Sequence, residues 1–228
     1  MKLVLALLAL ALPAAAQADC VILLHGLGRT AASMLVPELA LRKAGYDTVA
    51  LSYPAQSAGI DALAADAVER SLARCNSENP VHFVTHSMGG IILRSYLQDG
   101  EISGLGRVVM LAPPNHGSEL VDRLDTLEAF EWLNGPAGPQ MSTDPDSYVN
   151  QLEPVEAEIG IVAGNQSYNP ISSDMLPGED DGTVSVASTR LVEMSDHIIL
   201  PVTHSFLMNN PEVIEQMLHF LASGEFAR

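Results

Sequence analysis

The chain has 228 residues, a formal net charge of −17 and a hydrophobic fraction of 47%. So large an excess of carboxylates repels phosphate backbones and anionic lipid surfaces, which argues against a nucleic-acid-binding protein. No repeat, linker or second long apolar run divides the sequence, so we expect one domain over residues 19–228.

The first 18 residues predict a secretory signal peptide. Lys2 gives a positive start, an apolar run covers residues 3–16, and residues 16–18 have the small-x-small pattern of a cleavage site. The run is too short to cross a bilayer, which needs about 20 apolar residues. Cys20 leaves a lipoprotein signal as the alternative, although Asp19 stands where lipid attachment requires a small residue. We therefore expect cleavage after Ala18 and a periplasmic or secreted protein.

Two cysteines, Cys20 and Cys75, remain after this cleavage. Export to an oxidising compartment favours a disulfide between them. Cys20 begins the first predicted strand, and Cys75 ends a helix that leads into a neighbouring strand, so both are expected near one edge of the sheet. The alternative is two unpaired buried thiols.

Short apolar runs alternate with helical patterns along the chain, which is typical of a parallel sheet covered by helices. Most runs lack polar alternation, as strands buried on both faces do. The sequence predicts a three-layer α/β fold with a mostly parallel sheet of about six strands and helices on both faces. The predicted strands are 21–24, 48–53, 81–85, 108–111, 159–163 and 197–202, and the predicted helices are 33–44, 60–74, 89–98 and 211–221.

Residues 115–154 interrupt this alternation. A helical stretch over 118–133 is followed by a Gly/Pro-rich segment and a polar turn. An irregular insertion of this size is usually functional or mobile. It predicts a lid or a wall of the substrate site, with Phe130, Trp132 and Leu133 as candidate apolar contacts. The alternative is a helix packed on the sheet with a plain surface loop.

A glycine-rich loop, His25-Gly26-Leu27-Gly28, directly follows the first predicted strand. Acyl transfer builds negative charge on a carbonyl oxygen, which preorganised backbone N–H groups must meet. Where a serine nucleophile lies on a strand–helix turn, one N–H comes from the next residue and one from the loop after an earlier strand. This assigns the oxyanion hole to Leu27 and Met88. On its own the loop is also compatible with a simple tight turn.

The nucleophile is predicted to be Ser87, in the stretch THSMGG between a strand and a helix. Such a turn requires small neighbours, which Gly89 provides. Thr85 departs from the pattern, because a glycine usually occupies this position. His25 and His86, beside the two glycine motifs, are candidate substrate contacts, as is Trp132 in the insertion.

Three consecutive carboxylates, Glu179, Asp180 and Asp181, precede Gly182 after the fifth predicted strand. Like charges so close cannot all stay in a dry site, so at most one is expected to be buried against a histidine. Asp181 is the first candidate, Asp180 the second and Glu179 the third. An acidic surface turn is the alternative.

The general base is predicted to be His204. Of seven histidines, it alone lies just past the C-terminal end of the last predicted strand, the edge where open α/β sheets hold their sites. The chain order Ser87, Asp181, His204 is then serine, acid, histidine, as a nucleophile elbow on a parallel sheet predicts.

No metal site or cofactor is predicted. The cysteines lack zinc spacing, and Asp144 and Asp146 are too few for a calcium loop.

The stretches LLHGLG, VTHSMGG, PGEDDGTVSV and LPVTHSFLM resemble those of small bacterial α/β-hydrolase lipases and esterases. They also resemble the lipase-like branch related to GPI-inositol deacylases. The resemblance extends from Cys20 to the final helix. It implies the Ser87, Asp181 and His204 triad, the oxyanion donors Leu27 and Met88, and ester hydrolysis without a cofactor.

The sequence therefore predicts an exported, monomeric serine hydrolase that cleaves carboxylic esters through an acyl-serine intermediate. Its expected partners are small-molecule or lipid esters, with transient contact to a lipid interface left open. An acyltransferase, thioesterase or amidase with the same triad is the second hypothesis. A hydrolase-like binding protein that no longer catalyses is the third.

Overall fold

The computed structural model describes residues 18–76, 79–124 and 134–228. Its strands are β1 (Cys20–Leu24), β2 (Asp47–Ala50), β3 (Val81–His86), β4 (Leu105–Leu111), β5 (Glu158–Gly164) and β6 (Asp196–Leu200). They form one sheet in the order β2–β1–β3–β4–β5–β6, and every neighbouring pair is parallel.

Helices cover both faces of this sheet. They are α1 (Leu35–Lys43), α2 (Ile60–Leu72), α3 (Met88–Asp99), α4 (Glu119–Leu124), α5 (Pro170–Ser173) and α6 (Pro211–Ser223). Short 3₁₀ turns occupy Ala31–Met34, Pro139–Met141, Tyr148–Gln151 and His204–Asn209.

The core divides into two clusters because successive side chains of a strand point to opposite faces. Ile22 and Leu24 of β1 belong to the cluster under α2 and α3. Val21 and Leu23 belong to the cluster under α1 and α6. The predicted three-layer α/β fold with a parallel six-stranded sheet is confirmed.

Two strand boundaries differ from the prediction by three residues. The predicted strand 48–53 ends at Ala50, because the backbone N–H of Tyr53 turns away to donate to the ring of His25. Strand β4 begins at Leu105, three residues earlier than predicted. Its glycine at 106 interrupts the apolar run, yet a Cβ there would lie only 2.6 Å from the ring of His82.

The described part of the insertion, residues 134–154, is attached to α2 and α3. Gln140 accepts a bond from Ile60 N (2.7 Å), Tyr148 shares one with Ser95 (2.7 Å), and the carbonyl of Leu152 accepts one from Arg94 (3.1 Å). These bonds favour a fixed wall for this part. The candidate contacts Phe130, Trp132 and Leu133 lie outside the described residues, so the lid stays a prediction.

The predicted disulfide is present. Cys20 at the start of β1 is bonded to Cys75 after α2, with the two Cα atoms 5.8 Å apart. The predicted signal peptide lies outside the described residues, apart from Ala18. Within the part of the chain that is described, no helix combines the length and the apolarity needed to cross a membrane.

We expect the disulfide to contribute about 4 kcal/mol to the free energy of unfolding, since it closes a loop with a sequence separation of 55. Chemical denaturation of the oxidised protein and of the Cys20→Ala/Cys75→Ala variant measures this difference. Reductant should lower the free energy of unfolding of the wild-type protein and leave that of the variant unchanged. Coincident unfolding curves for the two proteins without reductant would contradict the prediction.

His197 of β6 makes the fold sensitive to acid. Burial, aided by the positive charge of Arg190, lowers the pKa of His197 to about 4 from its usual 6.5. Between these two values the unfolded chain binds a proton that the folded chain does not, so the free energy of unfolding falls as the pH falls. Its Nε2 lies 3.0 Å from the hydroxyl oxygen of Thr189, a contact that fits the neutral ring.

We therefore expect His197→Gln to flatten the decline of stability between pH 6.5 and 4. The effect should be at most about 2 kcal/mol, because the ring is partly exposed. Denaturant titrations across this pH range measure it, with His116→Gln as the matched control at an exposed position. Equal pH dependence in both variants would contradict the assignment to His197.

Candidate active site

Ser87 occupies the sharp turn between β3 and α3. Its backbone has φ 53° and ψ −126°, a conformation that residues with a Cβ adopt only under strain. The turn is bonded on both sides: Ser87 N donates to the carbonyl of Leu111 at the end of β4, and Gly90 N donates to the carbonyl of Ser87, both at 2.9 Å. The strand–turn–helix geometry expected of a nucleophile elbow is present.

The close approach of α3 to β1 explains why glycine follows the serine. A Cβ at Gly89 would overlap the carbonyl oxygens of Leu24 and His25, the second of them at 2.9 Å. The position two residues before Ser87 is less restricted. Thr85 lies inside β3, where β-branched side chains fit well, although its buried hydroxyl has no hydrogen-bond partner among the described residues.

Asp181 and His204 form a buried hydrogen-bonded pair. His204 Nδ1 donates to Asp181 Oδ2 at 2.7 Å, and His204 N donates to the carbonyl of Asp181 at 2.9 Å. The other carboxylate oxygen accepts the backbone N–H groups of Thr183 and Val184, at 3.0 and 2.8 Å. These bonds hold the carboxylate of Asp181 in place against the His204 ring. With Nδ1 protonated, Nε2 of the neutral His204 ring is left as a proton acceptor.

The two other carboxylates have different partners. Asp180 accepts from the hydroxyl of Ser173 at 2.9 Å and from Gly182 N at 2.7 Å, so it stabilises the turn itself. Glu179 accepts from the side chain of Asn165 at 3.0 Å. Of these three carboxylates, Asp181 is therefore the one that contacts His204.

His86 packs against His204 and bonds to its backbone. Its ring lies 4.8 Å from the His204 ring, and its Nε2–H donates to the carbonyl of His204 at 3.0 Å. Burial above all, and then the charge of His204, lowers the pKa of His86 well below its usual value. The neutral ring lines the cavity described below, and its buried Nδ1 has no partner within the described part of the chain.

His25 is not placed to contact substrate, contrary to the prediction. It is fully buried and does not line the cavity. Its ring stacks on Tyr53 at 4.0 Å, its Nδ1–H donates to the carbonyl of Gly26 at 2.9 Å, and its Nε2 accepts from Tyr53 N at 3.3 Å. Both ring nitrogens are thus used by one neutral tautomer, and burial lowers the pKa of His25. The His25 ring therefore fixes the start of the loop that follows β1.

That loop passes directly beside the nucleophile. A Cβ at Gly26 would lie 3.1 Å from the Cβ of Ser87, so only glycine allows this approach without displacement. Leu27 lines the same cavity as Ser87. Met88 begins α3, and the first N–H groups of a helix have no acceptor within it. Both predicted oxyanion donors therefore lie on the two segments that border Ser87.

A cavity of about 270 Å³ lies over Ser87 and His204. Its walls are mostly apolar and come from the loop after β1, α4, the insertion and the turn after Asp181. The sequence reasoning missed several lining residues, because separate loops bring them together: Arg29, Pro114, Ser118, Leu120, Val121, Asn134, Met141, Thr183, Val184 and Ser205. The candidate contact Trp132 lies outside the described residues.

A wider groove of about 510 Å³ adjoins this cavity on the other side of His204. Three exposed apolar side chains, Tyr168, Ile171 and Phe206, line it. In the part of the chain that the structure describes, no group of three or more His, Cys, Asp or Glu side chains is arranged to hold a metal ion.

Solved structures with this fold include several hydrolases. A Bacillus licheniformis lipase in its mature form is 20% identical, with a TM-score of 0.73 over 94% of this chain and 94% of that one. A metagenomic carboxyl esterase is 16% identical, with a TM-score of 0.63 over 83% of this chain and 65% of that one. A Legionella pneumophila phospholipase is 20% identical, with a TM-score of 0.63 over 83% and 53%. At these identities the likeness shows the fold alone.

No curated protein is significantly similar to the chain in sequence. The narrower resemblance to GPI-inositol deacylases stays a prediction. A model of the Alpha/beta hydrolase family matches residues 21–216, which include both glycine motifs, the acidic turn and His204. The chain belongs to the Alpha/beta hydrolase family.

Proposed function

We propose that the protein is a serine hydrolase that cleaves carboxylic esters through an acyl-serine intermediate. The proposal rests above all on the buried His204–Asp181 pair, which borders the cavity that also contains Ser87. In this assignment Ser87 is the nucleophile, His204 the general base and Asp181 the group that orients the base.

Acylation begins when Ser87 Oγ attacks the ester carbonyl carbon and passes its proton to His204 Nε2. The imidazolium that forms is stabilised by Asp181 across the 2.7 Å bond. The tetrahedral intermediate then expels the alcohol, which takes the proton from Nε2. Deacylation repeats these steps with water in place of Ser87, so that one ester and one water give one carboxylic acid and one alcohol.

The oxyanion of each tetrahedral intermediate requires hydrogen-bond donors that are in place before the reaction. We assign them to the backbone N–H groups of Leu27 and Met88. The close approach of Gly26 to Ser87 and the position of Met88 at the start of α3 support this assignment. The dipole of α3 favours negative charge at the same point.

The dimensions of the site favour esters with small acyl groups. A cavity of about 270 Å³ lies just below the usual range of small-molecule sites, about 300–1,000 Å³. The exposed side chains of Tyr168, Ile171 and Phe206 beside the adjoining groove support a transient contact with an uncharged lipid interface. We extend the proposal to a monomer that acts on short-chain esters, dissolved or at such an interface.

We also propose that the protein is exported after cleavage at Ala18. The disulfide between Cys20 and Cys75 supports this location, because disulfides persist mainly in oxidising compartments. A mature N-terminus at Asp19, measured by mass spectrometry, would be the expected result.

Ser87→Ala should lower kcat by about a millionfold if the triad acts as a unit, because the acyl-enzyme can no longer form. Hydrolysis of p-nitrophenyl esters of increasing chain length measures this loss and the expected preference for short chains. A fluorophosphonate probe should label the wild-type protein and spare the variant. An active Ser87→Ala variant would refute the assignment of the nucleophile.

Asp181→Asn should lower kcat by about 10⁴-fold, because an amide cannot hold His204 in the required tautomer and charge state. Asp180→Asn is the matched control, since the amide oxygen can still accept from Ser173 and Gly182. Steady-state kinetics with one short-chain ester compares the two variants. If the two losses were reversed, Asp180 would be the acid and the assignment would fail.

A further inference from the structure

The charge on the cavity wall is the reverse of the charge of the whole chain. The sequence contains 28 acidic and 11 basic side chains, a net charge of −17. Yet no aspartate or glutamate is among the described residues that line the cavity over Ser87. Among these described lining residues, Arg29 is the only lysine or arginine. The chain thus presents positive charge at the point where the reacting ester is bound.

Among the described residues, Arg29 also lacks the carboxylate partner that four other arginines of the fold have. Arg42, Arg70, Arg107 and Arg228 each form an ion pair with a carboxylate. The described part of the chain offers the guanidinium of Arg29 no such carboxylate. Its five N–H donors are therefore available to a ligand, in a half-buried position at the cavity.

The backbone fixes where this guanidinium starts. Arg29 N donates to the carbonyl of Gly26 at 3.3 Å, which closes the turn that contains Leu27. Arg29 is thus two residues from a proposed oxyanion donor. Its positive charge acts on His86, the residue before the nucleophile. There it adds to burial and to His204 in lowering the pKa of His86.

We propose that Arg29 binds an anionic group, a carboxylate or a phosphate, that the ester substrate contains near its scissile bond. This inference rests on the proposed function and names its substrate class. A guanidinium is suited to this task, because its planar fork matches both groups with two parallel hydrogen bonds. The anion belongs either to the acyl chain or to the alcohol.

The acidic surface does not oppose such a contact at short range. At physiological ionic strength, charges more than about 8 Å apart in solvent are largely screened. The charge that acts most strongly on a bound ester is then that of Arg29, on the cavity wall. Arg29 therefore selects among bound substrates, while the rest of the chain slows the approach of anions without choosing between them.

Two matched substrate pairs test the proposal and separate the two sources of the anion. Mono-p-nitrophenyl succinate and p-nitrophenyl butyrate differ by a carboxylate in the acyl part. A short-chain acylglycerol phosphate and the corresponding monoacylglycerol differ by a phosphate in the alcohol part. For each pair the readout is the ratio of kcat/KM for the anionic ester to that for the neutral ester.

Arg29→Gln should lower this ratio by about tenfold to a hundredfold in at least one pair, the loss expected for a charge-assisted hydrogen bond. Arg29→Lys, which keeps the charge without the fork, should give an intermediate ratio. Arg70→Gln is the matched control, since it removes the same charge from an exposed pair with Asp66 on α2. The pair that responds identifies the part of the ester that contains the anion.

An unchanged ratio in both pairs, or an equal fall in Arg70→Gln, would overturn the proposal. The proposed function is tested separately, because hydrolysis of the neutral esters that disappears in Ser87→Ala supports it whatever the ratio. If no ester is hydrolysed, thermal unfolding with inorganic phosphate and with succinate decides. Stabilisation of the wild type that Arg29→Gln loses supports the anion site, and equal responses of the two proteins refute it.

Discussion

The sharp turn at Ser87 is the constraint on which the arrangement of the whole carboxyl edge depends. Its positive φ directs the chain from β3 into α3 so abruptly that the helix begins against the end of β1. Gly89 then touches the backbone at Leu24, and the loop that follows β1 must pass beside Ser87 at Gly26. Three segments that are distant in sequence are thereby held around one hydroxyl, before any side chain of the site is considered.

Hydrogen bonding gives the three histidines around this turn different roles. Both ring nitrogens of His25 bond to backbone, and Nε2 of His86 bonds to the carbonyl of His204, so neither ring has a reason to become charged. His204 alone of the three bonds to a carboxylate. A neutral His86 favours the proposed reaction. Its ring lies 4.8 Å from that of His204, so a positive charge on His86 would destabilise the imidazolium that forms on His204.

The parts of the fold and site that follow from local patterns could be predicted from the sequence. Strands buried on both faces are continuous apolar runs, and Ser87 and His204 each lie within a few residues of the end of a strand. Asp181 lies farther along, in an acidic turn before Gly182. Where a boundary depends on a distant group, the pattern fails: β4 begins early because Gly106 packs under His82. The role of His25 was missed for the same reason, since its partner Tyr53 lies 28 residues away. Arg29 carries no local signal, because only the assembled loops define the cavity that it lines.

Several unfavourable features of the fold lie at the same edge as the site. Ser87 and Ala112, which have positive φ, directly follow β3 and β4. The Thr85 hydroxyl and His86 Nδ1, which have no partner among the described residues, lie beside Ser87. The opposite edge is covalently closed, because the disulfide joins the first residue of β1 to the end of α2. Strain at one end of a parallel sheet is tolerated when the strands are held in register elsewhere. Because β1 bears the disulfide at one end and the oxyanion loop at the other, it links the stability of the fold to the geometry of the site.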